Sequence, residues 1–164
     1  MNPRLYIESK ICSRTELNKL IAIWRLQSQS IVFTNGCFDV LHRGHLEYLA
    51  EAASLGNKLI IGLNEDQSVL RLKGPGRPVN SFTDRALAIA SLHVTDAVCG
   101  FQEDTPYDLI REVMPDILVK GGDYVESQIV GADLVKSAGG RIAIINFTEG
   151  YSTTSFLDKI RKGN

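Results

Sequence analysis

Residues 31–45 read IVFTNGCFDVLHRGH. Ile31, Val32 and Phe33 are continuously apolar, the pattern of a strand covered on both faces. Asn35 and Gly36 then turn the chain, Asp39 and His42 sit in a loop, and a helix is expected to open around Gly44 and His45. Strand, glycine turn and helix start in succession read as a phosphate site. The first N–H groups of a helix have no intrahelical acceptor, the helix dipole favours an anion, and Gly44 lets charged oxygens approach the backbone. His42 and His45, three residues apart, can donate to one anion from two sides of the turn. Two plainer readings remain open here. A histidine near a helix start can be only a cap, and Cys37, His42 and His45 could be three zinc ligands, although no second Cys/His pair completes a tetrahedral site.

Outward from this stretch, strand and helix patterns alternate. Short apolar runs at 59–63, 97–99, 117–119 and 142–145 read as further buried strands. Between them, Leu46, Leu49, Ala50 and Ala53 mark the expected buried face of a helix stopped by Gly56, and another helix starts near Ser81. A third is expected with Thr105 as cap, Pro106 in the first turn and Asp108 completing a capping box. The fold class that follows is α/β: a doubly wound, Rossmann-like, five-stranded parallel sheet with helices on both faces and right-handed crossovers. Ahead of it, Ser13 and Glu16 form a capping box before Leu17, Leu20, Ile21 and Trp24, a packing helix for a sheet edge or a subunit contact. The expected organisation is a helical extension over 1–30 and one catalytic domain over 31–164.

Composition narrows the classes. The 164 residues carry 18 basic and 19 acidic side chains, so no net charge advertises nucleic acid, and a polyanion partner is not expected. Three cysteines, Cys12, Cys37 and Cys99, fall in no CxxC pattern and fit a reducing compartment. With no apolar leader and no run of about 18 apolar residues, a cytoplasmic, membrane-independent protein is expected. A P-loop string, a GxGxxG and a nucleophile elbow are all absent from the sequence.

In open parallel sheets ligands bind beyond the carboxyl ends of the strands, so the loops there should converge. After the second strand Arg71, Lys73 and Arg77 lie among Gly74, Pro75, Gly76 and Pro78, a segment that could carry cations over a phosphate chain or be only a solvated loop. After the fourth, Lys120 could pair with an anion and Gly121 leaves room for a ligand, while Asp123 could accept from ribose or sugar hydroxyls or cap the next helix. The last loop brings Ser152, Thr153 and Thr154 to a helix start, a second anion cradle or ordinary caps. Two such helix starts on one rim suggest a polyphosphate.

The strings TNGCFDVLHRGH, RLKGPGRPVN, EDTP, PDILVKGGDY and NFTEGYSTT, in this order, resemble the HxGH nucleotidyltransferase family, cytidylyltransferase-like, across residues 31–160. Within it the chain is similar to the branch that transfers AMP from ATP to D-glycero-D-manno-heptose 1-phosphate for bacterial surface polysaccharide. In some bacteria that activity is fused to a sugar kinase, and the chain is similar to the stand-alone form. The resemblance implies a nucleotidyltransferase-type fold, ATP and heptose 1-phosphate as substrates, Mg²⁺ with the ATP and a homo-oligomer, dimer favoured. It implies catalytic roles for His42, His45 and Lys73, and nucleotide contacts from Asn35, Gly36, Cys37, Phe38, Gly44, Lys120, Gly121, Ser152, Thr153 and Thr154. Asp39, Arg77 and Asp123 would face the second substrate, and no dedicated protein metal site is implied. A sister group, the glycerol-phosphate cytidylyltransferases, carries an arginine before its glycine-hydroxyl string. This chain has Phe147-Thr148-Glu149-Gly150 there, a departure that favours ATP over CTP. A cytidylyltransferase acting on glycerol 3-phosphate or a related phosphorylated alcohol is the alternative, and Tyr151 has no physical account.

Overall fold

The computed structural model describes residues 2–122 and 124–146 together with residues 153, 160 and 163. In chain order its elements are α1 (Pro3–Glu8), β1 (Ile11–Cys12), α2 (Arg14–Leu26), β2 (Ile31–Gly36), α3 (Arg43–Ser54), β3 (Lys58–Asn64), α4 (Asp66–Lys73) and α5 (Phe82–Ala90). There follow β4 (Ala97–Phe101), α6 (Tyr107–Val113), β5 (Ile117–Gly121), a 3-10 turn (Glu126–Gln128), α7 (Ala132–Ser137) and β6 (Arg141–Ile145). The strands form one parallel sheet in the order β1-β4-β3-β2-β5-β6. From β2 the chain winds outward through β3 to β4, then returns to the other side of β2 and winds outward through β5 to β6. The winding reverses between β2 and β5, and the crevice above their carboxyl ends is where such sheets receive ligands.

The sheet has six strands rather than the five expected. The additional one, β1, pairs Ile11 with Val98 and Cys12 with Cys99, and two residues are too few to leave a periodic signal. Residues ahead of Ile31 are therefore built into the sheet. Helix α2 begins with the expected capping box, Ser13 and Glu16 each bonding the other's backbone, and packs against β1 and β4 at the sheet's edge.

Because side chains alternate along a strand, each interior strand feeds two cores. Ile31 and Phe33 of β2 point to the face covered by Leu17, Ile21 and Trp24 of α2, Leu109 and Val113 of α6 and Val135 of α7. Val32 points to the other, against Tyr48, Leu49 and Ala52 of α3 and Ala86, Ile89 and Ala90 of α5. The buried face of α3 is thus not the one expected: Leu46 is 45% exposed and Ala50 lies outward. Stripes at 46, 49, 50, 53 and at 45, 48, 49, 52 both satisfy the helical period, and the second carries His45 on the packed side. The capping box expected at Thr105 does not form either. Helix α6 starts at Tyr107, with Pro106 in the cap position and no side-chain cap bond. Among the described residues no helix is long and apolar enough to cross a membrane.

Candidate active site

A cleft of about 920 Å³ opens along the carboxyl rim of the sheet. At its centre β2 ends in Asn35 and Gly36, and the chain turns sharply. Phe38 has a φ of 43°, in the left-handed region that non-glycine residues seldom occupy, and it is nearly buried. A Cβ on Gly36 would stand 2.8 Å from the Phe38 ring, so only glycine admits this turn. The same ring meets the edge of His45 at 5.2 Å between centroids. His42 occupies the N-cap of α3 with extended backbone and gives no side-chain cap bond, which removes the capping reading. The two imidazoles stack instead, centroids 3.8 Å apart and planes 19° from parallel. Gly44 is buried between them in the first helical turn.

This stacking bears on charge. Burial pushes His45 down to about 4, the neighbouring His42 pushes the same way, and a hydrogen bond with the Val40 backbone opposes both. Burial also lowers His42. The Nδ1 of His45 is buried without a hydrogen-bond partner among the described residues. An unliganded pair of this kind is neutral near pH 7, and a phosphate entering beside it favours protonation.

Cations surround the pair. Lys73 is exposed at the carboxyl end of α4, and Arg77 follows two left-handed glycines, Gly74 and Gly76, with both side chains lining the cleft. From the β5 side comes Lys120, whose Nζ donates to Asn35 Oδ1 at 3.2 Å and whose ammonium is lowered by burial. Thr153, half-buried and helical, also lines the cleft, whereas Ser152, Thr154 and Asp123 lie outside the described residues. The structure thus brings together Asn35, Gly36, Cys37, Phe38, Gly44, His42, His45, Lys73, Arg77, Lys120, Gly121 and Thr153. Cys37 points its thiol toward Asn64 Oδ1 at 3.8 Å, and burial raises it despite the nearby Lys73, Arg85 and Arg77. Among the described residues no group of three His, Cys, Asp or Glu side chains is placed to hold a metal, so Cys37, His42 and His45 do not make the zinc set considered above.

Asp39 is turned to internal use. It is 2% exposed, bonds Arg77 Nε and accepts from the backbone N–H groups of Val79 and Asn80. Burial opposes its charge, yet those two N–H groups and the guanidinium outweigh burial and hold the carboxyl below its ordinary range. Its present work is to pin the 74–80 loop, and with it Arg77, against the turn after β2. Sequence reasoning missed a second brace, Arg85. Its side chain is fully buried and donates to the carbonyls of Cys37 at 2.7 Å, Asn64 at 2.8 Å and Asn80 at 3.0 Å, and to Asp66 at 2.8 Å. One guanidinium thereby joins the loops after β2 and β3 to the approach of α5.

A parallel sheet whose switch point holds stacked histidines at a helix start, in a cleft that receives cations from the segment after β3 and from the end of β5, defines an α/β enzyme of the nucleotidyltransferase type. The chain belongs to the cytidylyltransferase-like family, whose profile matches residues 33–158. It is similar to the bifunctional protein HldE of Nitrosococcus oceani, 51% identical over 99% of this chain and 34% of that protein. It is likewise similar to the bifunctional protein HldE of Pseudomonas fluorescens, 49% identical over 94% of this chain and 33% of that protein. The chain therefore spans about a third of the length of these relatives. Among solved structures it resembles the lipopolysaccharide core biosynthesis protein of Thermoplasma volcanium, with a TM-score of 0.59 and 28% identity over 76% of this chain and 99% of that one. The pantoate-beta-alanine ligase of Francisella tularensis shares the fold, with a TM-score of 0.60 at 16% identity over 85% of this chain and 67% of that one.

Proposed function

We propose that the protein transfers AMP from ATP to D-glycero-D-manno-heptose 1-phosphate, releasing pyrophosphate and giving ADP-heptose. The observation that carries the reading is the stacked His42–His45 pair at the start of α3, inside a cleft that also receives Lys73, Arg77 and Lys120. The heptose rests on the ordered strings of the sequence and on similarity to HldE proteins and a lipopolysaccharide core biosynthesis protein.

In the reaction an oxygen of the sugar phosphate attacks the α-phosphorus in line, and the bond from that phosphorus to the pyrophosphate oxygen breaks. The attacking phosphate is already an anion, so no general base is needed. The chain's task is to hold two anions together against their repulsion. His42 and His45, at a helix start, would bind the transferred phosphate and Lys73 the incoming one, with Lys120 on the nucleotide and Thr153 on the departing pyrophosphate. Arg77 would face the sugar phosphate from the 74–80 loop, which Asp39 pins from behind. Mg²⁺ brought by ATP would neutralise part of the phosphate charge. With Asp39, the buried carboxylate of the cleft, committed to Arg77, Val79 and Asn80, the residues of the cleft would hold the phosphates and the ion would come with them, supplying charge neutralisation.

The test is to incubate the protein with Mg²⁺, ATP or CTP, and a panel of sugar 1-phosphates with glycerol 3-phosphate, identifying the product by mass. ADP-heptose with equimolar pyrophosphate is expected. A preference for CTP with glycerol 3-phosphate would move the protein to the sister group, and nucleotide binding with no pyrophosphate from any pair would end the enzymatic reading.

A further inference from the structure

The loop after β4, residues 102–106, is a wall with two faces. Asp104, Thr105 and Pro106 line the cleft, while Gln102 and Glu103 line a separate recess of about 590 Å³ together with Ser13 and Arg14. Arg14 itself does not line the cleft. It comes from the stretch ahead of Ile31 that reads in the sequence as a helical extension. It reaches the rim because β1 runs parallel to β4, with Cys12 in register with Cys99, so that the residues following the two strands emerge side by side.

We propose that Arg14 is a positioning residue for the reaction: through Glu103 it fixes the 102–106 loop, and through that loop the end of α4 that carries Lys73, so that the cleft is shaped for the phosphorylated second substrate from outside. The inference rests on the adenylyltransferase reading and deepens it by building β1 and the start of α2 into the site.

The Arg14 guanidinium reaches two carboxylates at once, bonding Glu103 and donating from Nη1 to Glu112 Oε1 of α6 at 2.7 Å. Burial opposes the charge on Glu103, yet its own backbone N–H, Arg14 and the N–H of Gln102 outweigh burial and hold the carboxyl below its ordinary range. The Gln102 N–H donates to Glu103 Oε2 at 2.9 Å, so the turn is closed on the carboxylate that Arg14 holds. The same turn is fastened to α4. Ser68 Oγ donates to Glu103 O at 3.1 Å, and Arg71 donates to Asp104 Oδ1 at 2.7 Å and to Gln102 O. Ser68, wholly buried, accepts in turn from Asn64 Nδ2 at 2.9 Å, and Asn64 lines the cleft. Ser68, Arg71 and Lys73 belong to one helix, so a shift of the loop is a shift of Lys73. Ion pairs as exposed as those of Arg14 contribute little to stability, whereas a reactant misplaced by about 1 Å can cost up to about 10²-fold in rate.

The test is steady-state kinetics with heptose 1-phosphate varied, beside calorimetric titration of ATP with Mg²⁺, on the wild type, Arg14→Met, Glu103→Gln, the double variant and Glu112→Gln. Arg14→Met and Glu103→Gln should each lower kcat/KM for heptose 1-phosphate about tenfold, leave ATP affinity within about twofold and lower Tm by no more than about 4 °C. The double variant should be no worse than either single one, because both break the same pair. Glu112→Gln, which loosens Arg14 from α6 but leaves it on Glu103, should stay within about twofold of wild type in kcat/KM. An unchanged kcat/KM in Arg14→Met, an equal loss of ATP affinity, additive losses in the double variant, or a Glu112→Gln variant as impaired as Arg14→Met would each overturn the positioning role and leave the adenylyltransferase reading standing. A wild type that turns over no sugar phosphate would remove both, since the loop would then have no second substrate to serve.

Discussion

On the β3 side of the cleft every buried charge is answered from within the protein, Asp39 by Arg77 and Arg85 by Asp66 and three carbonyls. On the β5 side Lys120 meets only an amide oxygen and the face of a tyrosine ring, and among the described residues it forms no ion pair. The first flank is rigid before any ligand arrives, because its ion pairs and backbone bonds fix three loops at once. The second holds a cation whose charge is disfavoured by its burial until an anion comes. Preorganisation and unmet charge are thus separated in space, and the stacked histidines sit where the two flanks join.

The strongest way to break this comparison is to remove the brace. Arg85→Ala leaves three carbonyls and the Asp66 carboxylate without their donor, and breaking such a buried network costs about 3–5 kcal/mol. We expect a large fall in the urea midpoint together with loss of turnover. A variant within about 0.5 kcal/mol of wild type would mean that the flank is not held by this residue. Next in size is His45→Ala. Removing one preorganised donor from the developing charge lowers kcat by about 10² to 10³. Thermal unfolding should show the fold intact, and near-normal turnover would take the histidine out of the chemistry.

How much of this was legible in the sequence follows the same division. The strands at 31–36, 58–64, 97–101, 117–121 and 141–145 and the HRGH turn were readable because apolar runs and glycine turns are local signals. Arg85 was not, since an arginine inside SFTDRALAIA reads as a solvent-facing helical residue, and only the meeting of carbonyls 37, 64 and 80 makes it interior. Asp39 and Arg77 were both recognisable as cleft residues, but that they bond each other depends on how the 74–80 loop folds back over the turn. The face of α3 was misread because two stripes satisfied one periodicity, and packing decided between them.

The second flank is probed by Lys120→Met, which keeps the stem and removes the charge. If Lys120 waits for an anion, the variant loses about tenfold in ATP affinity while its stability stays level or rises, since a half-buried cation with no carboxylate partner among the described residues is relieved. Arg85→Ala and Lys120→Met should therefore differ in sign on the stability axis. A destabilised Lys120→Met would make the two flanks alike and remove the distinction.

The smallest effect is expected where the flanks join, and it is read from pH. His45 is pushed down to about 4 when folded, by burial first and then by His42, against about 6.5 in an unfolded chain. Above roughly pH 6.5 both states are neutral and the stability is fully present. Below it the unfolded chain takes the proton first, so stability drains away as the pH falls toward 4, by about 1 kcal/mol near pH 5.5. His45→Gln should lose this dependence, and because carboxylates titrate in both proteins, the difference between the two stability curves isolates the histidine. Parallel curves would mean that the imidazole is not held neutral. Tripolyphosphate sharpens the measurement: an anion beside the pair favours its protonated form, so the difference between the curves should shrink as ligand is added. A difference that persists at saturating ligand would place the phosphates away from the histidine turn, and with them the meeting point of the two flanks.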